Sequence, residues 1–166
     1  ATSAALAMTA GGTSSGTFAA TTPGLVQFTG GTHSLVTTAK FEGTGKTQFI
    51  GGTTNAVNTI NATSSATTFD IAGGVITSEP TGSFNPVGNV NWTSGVIGGN
   101  FNVKAGSSIH LSSGNTKLMG TGAIVSNHGT ATWTGPGTLQ GYQSSTWNNK
   151  AGSTFIMTTD GDVFSQ

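Results

Sequence analysis

Five carboxylates and three imidazoles are all that this chain of 166 residues offers for acid, base or metal chemistry: Glu42, Asp70, Glu79, Asp160 and Asp162, with His33, His110 and His128. Cutting a glycosidic bond by paired acid and base work needs two carboxyl groups within about 5 to 10 Å. Only Asp160 and Asp162 are close along the chain. Asp160-Gly161-Asp162 could open a Ca²⁺ loop, but the further spaced acidic ligands are missing, and Asp and Gly favour turns on their own account. The three histidines fall at different points of the repeat described below, so they do not form a shared metal site or a triad. Without cysteine there is neither a thiolate site nor a disulfide framework. No catalytic, cofactor-binding or metal-binding residue is expected, and the chain reads as not an enzyme.

The elements that would carry these groups are unusual in composition. Charged residues make up 6% of the chain, against roughly 25% in a typical soluble domain. Thr (31), Gly (27), Ser (18) and Asn (12) fill more than half of the positions, so hydroxyls and amides must do the solvating. A flexible linker shares some of this bias. Against it stand the scarcity of proline, with 4 residues, and aromatic residues that recur at intervals. Thr, Val, Ile, Phe and Trp suit a pleated, half-buried surface, so strands are expected and helix is not. Five Lys balance five acidic residues with no Arg, which excludes the basic patch that nucleic acid or an anionic membrane surface requires. No apolar run approaches the roughly 20 residues of a membrane span, so no membrane insertion is expected.

A large apolar residue after a short polar-apolar alternation appears at Met8, Phe28, Phe49, Phe69, Trp92, Leu111, Trp133 and Phe155, at spacings of 20, 21, 20, 23, 19, 22 and 22. Glycine turns tend to follow these anchors, as at Gly30-Gly31, Gly51-Gly52 and Gly73-Gly74. A second apolar station comes about seven residues later, at Leu35, Val57, Ile76, Ile97, Leu118, Leu139 and Val163. A third lies at Phe41, Ile60, Phe84, Val103, Ile124 and Trp147. Three apolar stations per repeat of about 21 residues describe a triangular coil with one short strand on each side. The fold class expected is all-β, a right-handed parallel β-helix of about eight coils, a rod on the order of 40 Å long. A β-sandwich also has short strands and glycine turns, but gives no reason for one anchor to recur at a near-constant interval.

Period-two alternation assigns directions. Phe28, Phe49, Phe69, Trp92, Leu111, Trp133 and Phe155 form an expected internal ladder, where aromatic neighbours bury large areas. The preceding residues, Gln27, Gln48, Thr68, Asn91, His110, Thr132 and Thr154, form an outward column and the candidate binding face. Residues 1–166 read as one repeat array in which 79–86, with Glu79, Pro80, Phe84 and Pro86, is a surface loop insertion. Neither end shows a cap, so the array is expected to be an excerpt of a longer protein or to self-associate end to end. Asn61-Ala62-Thr63 and Asn91-Trp92-Thr93 are glycosylation sequons, relevant only on a glycosylating route.

Residues 88–95 (Gly-Asn-Val-Asn-Trp-Thr-Ser-Gly), 127–135 (Asn-His-Gly-Thr-Ala-Thr-Trp-Thr-Gly) and 147–155 (Trp-Asn-Asn-Lys-Ala-Gly-Ser-Thr-Phe) resemble repeats of large bacterial extracellular β-helix proteins, the adhesins and autotransporter-like passengers. That resemblance implies parallel coils, export, and polar ladders at turns, with Asn127 stacking on Asn149. Together with the low charge it places the chain outside the cell, as a structural or adhesive module of the cell surface. The alternatives are a glycan-binding or polysaccharide-cleaving β-helix and, on the Thr-bearing outward column, an ice-binding face. Only Thr132-Trp133-Thr134 places Thr on both sides of an anchor, and neighbouring coils offer Gln, Asn, His and Asp there, which argues against the regularity ice requires.

Overall fold

The computed structural model describes residues 4–165, and among them there are strands and turns but no helix. The first coil holds β1 (Ala5–Met8), β2 (Gly12–Ser14) and β3 (Thr17–Ala20); the second, β4 (Leu25–Phe28), β5 (Thr32–Leu35) and β6 (Lys40–Gly43). The third holds β7 (Lys46–Phe49), β8 (Thr53–Ala56) and β9 (Thr59–Ala62). In the fourth and fifth, one long strand runs through the first corner: β10 (Thr68–Ser78) precedes β11 (Ser83–Asn85), and β12 (Asn89–Ile97) precedes β13 (Asn100–Val103). The sixth contains β14 (Ser108–Leu111), β15 (Lys117–Met119) and β16 (Ile124–Asn127), and the seventh β17 (Thr130–Trp133), β18 (Leu139–Gly141) and β19 (Thr146–Asn149). β20 (Thr154–Met157) and β21 (Val163–Ser165) open an eighth.

Each strand pairs in parallel with its counterpart one coil away, which makes the fold a β-solenoid of about seven turns and about 22 residues per turn. The expected architecture is therefore found, with slightly longer and fewer turns than the 21 residues and eight coils read from the anchors. Because β10 and β12 cross a corner, the first two stacks fuse into one 14-stranded sheet, and the third stack is a separate 7-stranded sheet.

The anchors need one correction. In the first stack Phe28 lies beside Phe49, Phe49 beside Ile71, Ile71 beside Trp92, and the row continues through Leu111 and Trp133 to Met157. Phe69 and Phe155 belong instead to a second inward row two residues earlier, with Val26, Thr47, Val90, Ile109 and Ala131. A strand of four residues has two inward positions, and choosing the larger side chain in each coil jumps between them. The uneven anchor spacings around Phe69 follow from this jump, so the fourth coil carries no extra residues. Phe69 is fully buried, whereas Phe155, on the last coil, is 36% exposed.

The segment 79–86 is likewise only partly a loop. Glu79 to Gly82 form a turn, but Ser83–Asn85 is β11, paired with β9 and β13. Phe84 is buried against Phe41, Phe49 and Phe69, and stacks on Phe101. Prolines at 80 and 86 flank the strand, where a missing N–H is harmless, and this made a sheet element look like an insertion.

Seven phenylalanines, from Phe18 to Phe101, fill the first five coils with centroid separations of 5.2 to 6.3 Å. Burying each contributes about 1.5–3 kcal/mol. At the first corner a glycine column, Gly31, Gly52, Gly74 and Gly95, occupies equivalent positions in the second to fifth coils. Gly31 and Gly52 have φ of 68° and 66°, and a Cβ on Gly52 would lie 2.4 Å from the Gly31 carbonyl oxygen. Register then places Lys117, Leu139 and Val163 where the glycines stood.

Candidate functional site

The outward face of the first stack carries the residues singled out as a binding column. Its true members are Gln27, Gln48, Asp70, Asn91, His110, Thr132 and Ile156, side by side in successive coils. Thr68 and Thr154 lie in the neighbouring outward column with Lys46, Asn89, Ser108 and Thr130, displaced by the same two-residue jump as Phe69 and Phe155.

Stacking at parallel-strand spacing, about 4.8 Å, is close enough for amides on adjacent rungs to bond. Gln27 Nε2 donates to Gln48 Oε1 at 2.8 Å, and Gln48 Nε2 to Asp70 Oδ2 at 3.0 Å. From the other side Asn91 Nδ2 donates to Asp70 Oδ1 at 2.8 Å, and Lys46 Nζ approaches Oδ2 at 3.4 Å. Because a carboxylate only accepts, Asp70 turns the amides on both sides toward itself. The result is a ladder across four coils whose direction converges on one side chain. Beyond it Ser108 Oγ donates to Asn89 Oδ1 at 2.8 Å, and His110 Nε2 lies 2.7 Å from Thr134 Oγ1. A shallow trough of about 500 Å³ runs between the two columns past Thr68, Asn89, Asn91, His110 and Thr132. Much of its polar lining is already engaged within the protein.

Two further ladders run along the third stack. Asn85 Nδ2 donates to Asn61 Oδ1 at 2.9 Å, and Asn102 Nδ2 to Asn85 Oδ1 at 2.7 Å. Asn127, fully buried, donates through Nδ2 to Asn149 Oδ1 at 2.8 Å and accepts the Gly129 N–H at 3.1 Å. The expected Asn127–Asn149 pair is present, at the last residues of β16 and β19. Both sequon asparagines, Asn61 and Asn91, belong to ladders.

The other titratable groups are dispersed. Glu42 pairs with Lys40 at 3.0 Å on the same strand, and that hydrogen bond holds its carboxyl below the usual range. Glu79 accepts from Asn55 Nδ2 at 2.8 Å. His33 is buried against Phe28, with Nε2 2.9 Å from the Gly30 carbonyl oxygen. Among the described residues no group of three or more His, Cys, Asp or Glu is placed to hold a metal ion.

The second apolar station of the sixth coil needs a correction as well: Lys117, not Leu118, points inward and is fully buried, and Leu118 faces outward. Lys117 pairs in register with Gly95, and Nζ donates to the carbonyls of Asn115 at 2.9 Å and Ser113 at 3.4 Å. Burial lowers its pKa from the ordinary lysine value. The signal available in the sequence was the end of the glycine column, since a position continuing it must point inward.

The fold and its outward ladders define a parallel β-solenoid, compatible with β-helix repeat proteins. No family model, curated protein or solved structure matches the chain.

Proposed function

We propose that the chain is a stiff structural or adhesive module of an extracellular surface, a rod that spaces or displays other elements and performs no catalysis. The observation that carries this is the chain of side-chain bonds along the axis. Gln27, Gln48, Asp70 and Asn91 tie the second to fifth coils to one another on the outside, as the apolar rows do on the inside. Bending the rod would break bonds on both surfaces, and a surface so engaged resists rearrangement around a substrate.

Self-association of two molecules end to end, where it occurs, would use the apolar rows of the last described coil. Phe155, Met157 and Val163 stay 36%, 45% and 68% exposed at the inward positions of β20 and β21.

Single-molecule extension of the chain tests the reading. A stiff solenoid yields at high force in steps close to one coil of about 22 residues. Gradual extension at low force would contradict stiffness. Turnover of any polysaccharide that Asp70→Asn or Glu79→Gln abolishes would replace the structural reading with an enzymatic one.

A further inference from the structure

The second corner of the solenoid contains a slot. Hydrogen bonds from Gly98 N to Ile76 O, Gly120 N to Ile97 O and Tyr142 N to Met119 O place Gly98, Gly120 and Tyr142 in one outward column, continuing Asn55 and Thr77. Two consecutive rungs of that column therefore lack side chains. Tyr142, the chain's single tyrosine, stands exposed at one end of the gap, and Thr77 with the Glu79–Pro80 turn closes the other. Three rungs separate Thr77 from Tyr142, about 14 Å at parallel-strand spacing.

The walls are apolar. Half-buried Val75 and Val96 line the side toward the second stack, and Ile124, 39% exposed, stands toward the third. The groove between these walls and the Glu79 turn encloses about 580 Å³, within the range of small-ligand sites, which combine apolar walls with a few placed polar groups. The bare rungs Gly98 and Gly120 are bare by composition, while Gly99 and Gly122, which also line the groove, have φ of 83° and 69°, where glycine is favoured.

The polar groups are few and oriented. Asn55 takes one oxygen of the Glu79 carboxylate at 2.8 Å, and the other has no protein donor among the described residues. The hydroxyls of Thr77 and Thr121 also line the slot, and no lysine does. Aliphatic walls, an acceptor carboxylate and hydroxyls, without a cation, and Tyr142 on the rung that follows Gly120, beside the groove and outside its lining, complement a slab with apolar faces and donating edges. The geometry points to a carbohydrate site for a short neutral glycan, its rings against Tyr142 and the valine wall and its hydroxyls donating to Glu79. Acidic sugars are disfavoured because Glu79 repels them and no lysine in the slot offsets it. This site goes beyond the rod reading and does not depend on it.

Calorimetric titration of the whole chain with cellohexaose, chitohexaose and polygalacturonate tests the site. A neutral oligosaccharide binds and polygalacturonate does not. Tyr142→Ala and Glu79→Gln each weaken binding by about tenfold or more, while Tyr142→Phe retains it and Gln27→Ala, on the first face, leaves it unchanged. Tyr142 and Glu79 are exposed, so thermal melting of the variants stays near that of the parent and separates lost binding from lost fold. Absence of binding to both neutral sugars at millimolar concentration would overturn the proposal. So would binding that survives Tyr142→Ala, or capture of oligolysine in place of sugar, which would reassign the slot to a basic peptide. None of these outcomes bears on stiffness, which extension measures separately.

Discussion

Asp70 has no counterpart among the outward residues of the first stack: it is a carboxylate, 14% exposed in its side chain, that receives three donors from the coils on either side. Removing it strands two amide donors in a partly buried ladder, so Asp70→Ala lowers unfolding stability by about 1–3 kcal/mol. Gln48→Ala, which removes one donor and one acceptor, costs about 1 kcal/mol. Thr132→Ala, whose hydroxyl makes no bond among the described residues, stays within about 0.5 kcal/mol. Urea titration of the three variants checks the order, and equal midpoints would show that the ladder contributes nothing. Inside the strand, Phe69→Asp places an unpaired charge among Phe41, Phe84 and the strand rows, and no folded protein is recovered. Lys117 carries a pH prediction. Its folded pKa is depressed, so the unfolded chain holds the extra proton in the window below the ordinary lysine value. Stability then rises with pH through that window, and the cost of the buried charge is greatest below the folded pKa. Lys117→Met removes this slope, and parallel pH profiles for parent and variant in denaturant would refute it.

At the scale of elements, the strands follow from period-two alternation, but the corners depend on glycine. Gly52→Ala sets a methyl against the neighbouring backbone at a positive φ, and should cost more than about 2 kcal/mol. Gly106→Ala, with φ of 77° and nothing within 4 Å of the added Cβ, should cost about 1 kcal/mol, the backbone penalty alone. Thermal denaturation of the pair isolates the contribution of close coil contact, and equal losses would remove it. The same glycines explain how legible the fold was. A repeat near 21 residues, parallel strands and the positions of Phe28, Phe49, Trp92 and Trp133 all follow from alternation and turns. Which of two inward positions a large residue fills is not visible in a four-residue strand, so Phe69, Phe155, Thr68 and Thr154 were assigned to the wrong rows. Leu118 misled for a related reason: hydropathy placed it inward, while the glycine column reserves that direction for position 117. Asp70 in the ladder and Tyr142 above two glycines depend on register across coils, which only the paired backbone fixes.

For the whole molecule, each coil touches only its neighbours, and stability approximates a sum of coil and interface terms. Those terms are unequal along the rod. The phenylalanine cluster and the glycine column both lie within the first five coils, the column in the second to fifth, whereas β20 and β21 leave Phe155, Ile156, Met157, Val163 and Phe164 at least 36% exposed. β7, β10 and β12 are paired on both sides, while β19, β20 and β21 each have one partner. Amide hydrogen exchange on the isolated chain should therefore be slowest in β7, β10 and β12, faster in β1 to β3, and fastest in β19 to β21, with opening that proceeds inward from the last coil. Tyr142 and the slot glycines lie between the slow and fast regions, so a sugar bound there should slow exchange in β18 more than in β7. Uniform protection along the rod, lost everywhere in one step, would show instead that the coils unfold as a single unit and that neighbour contacts do not set stability.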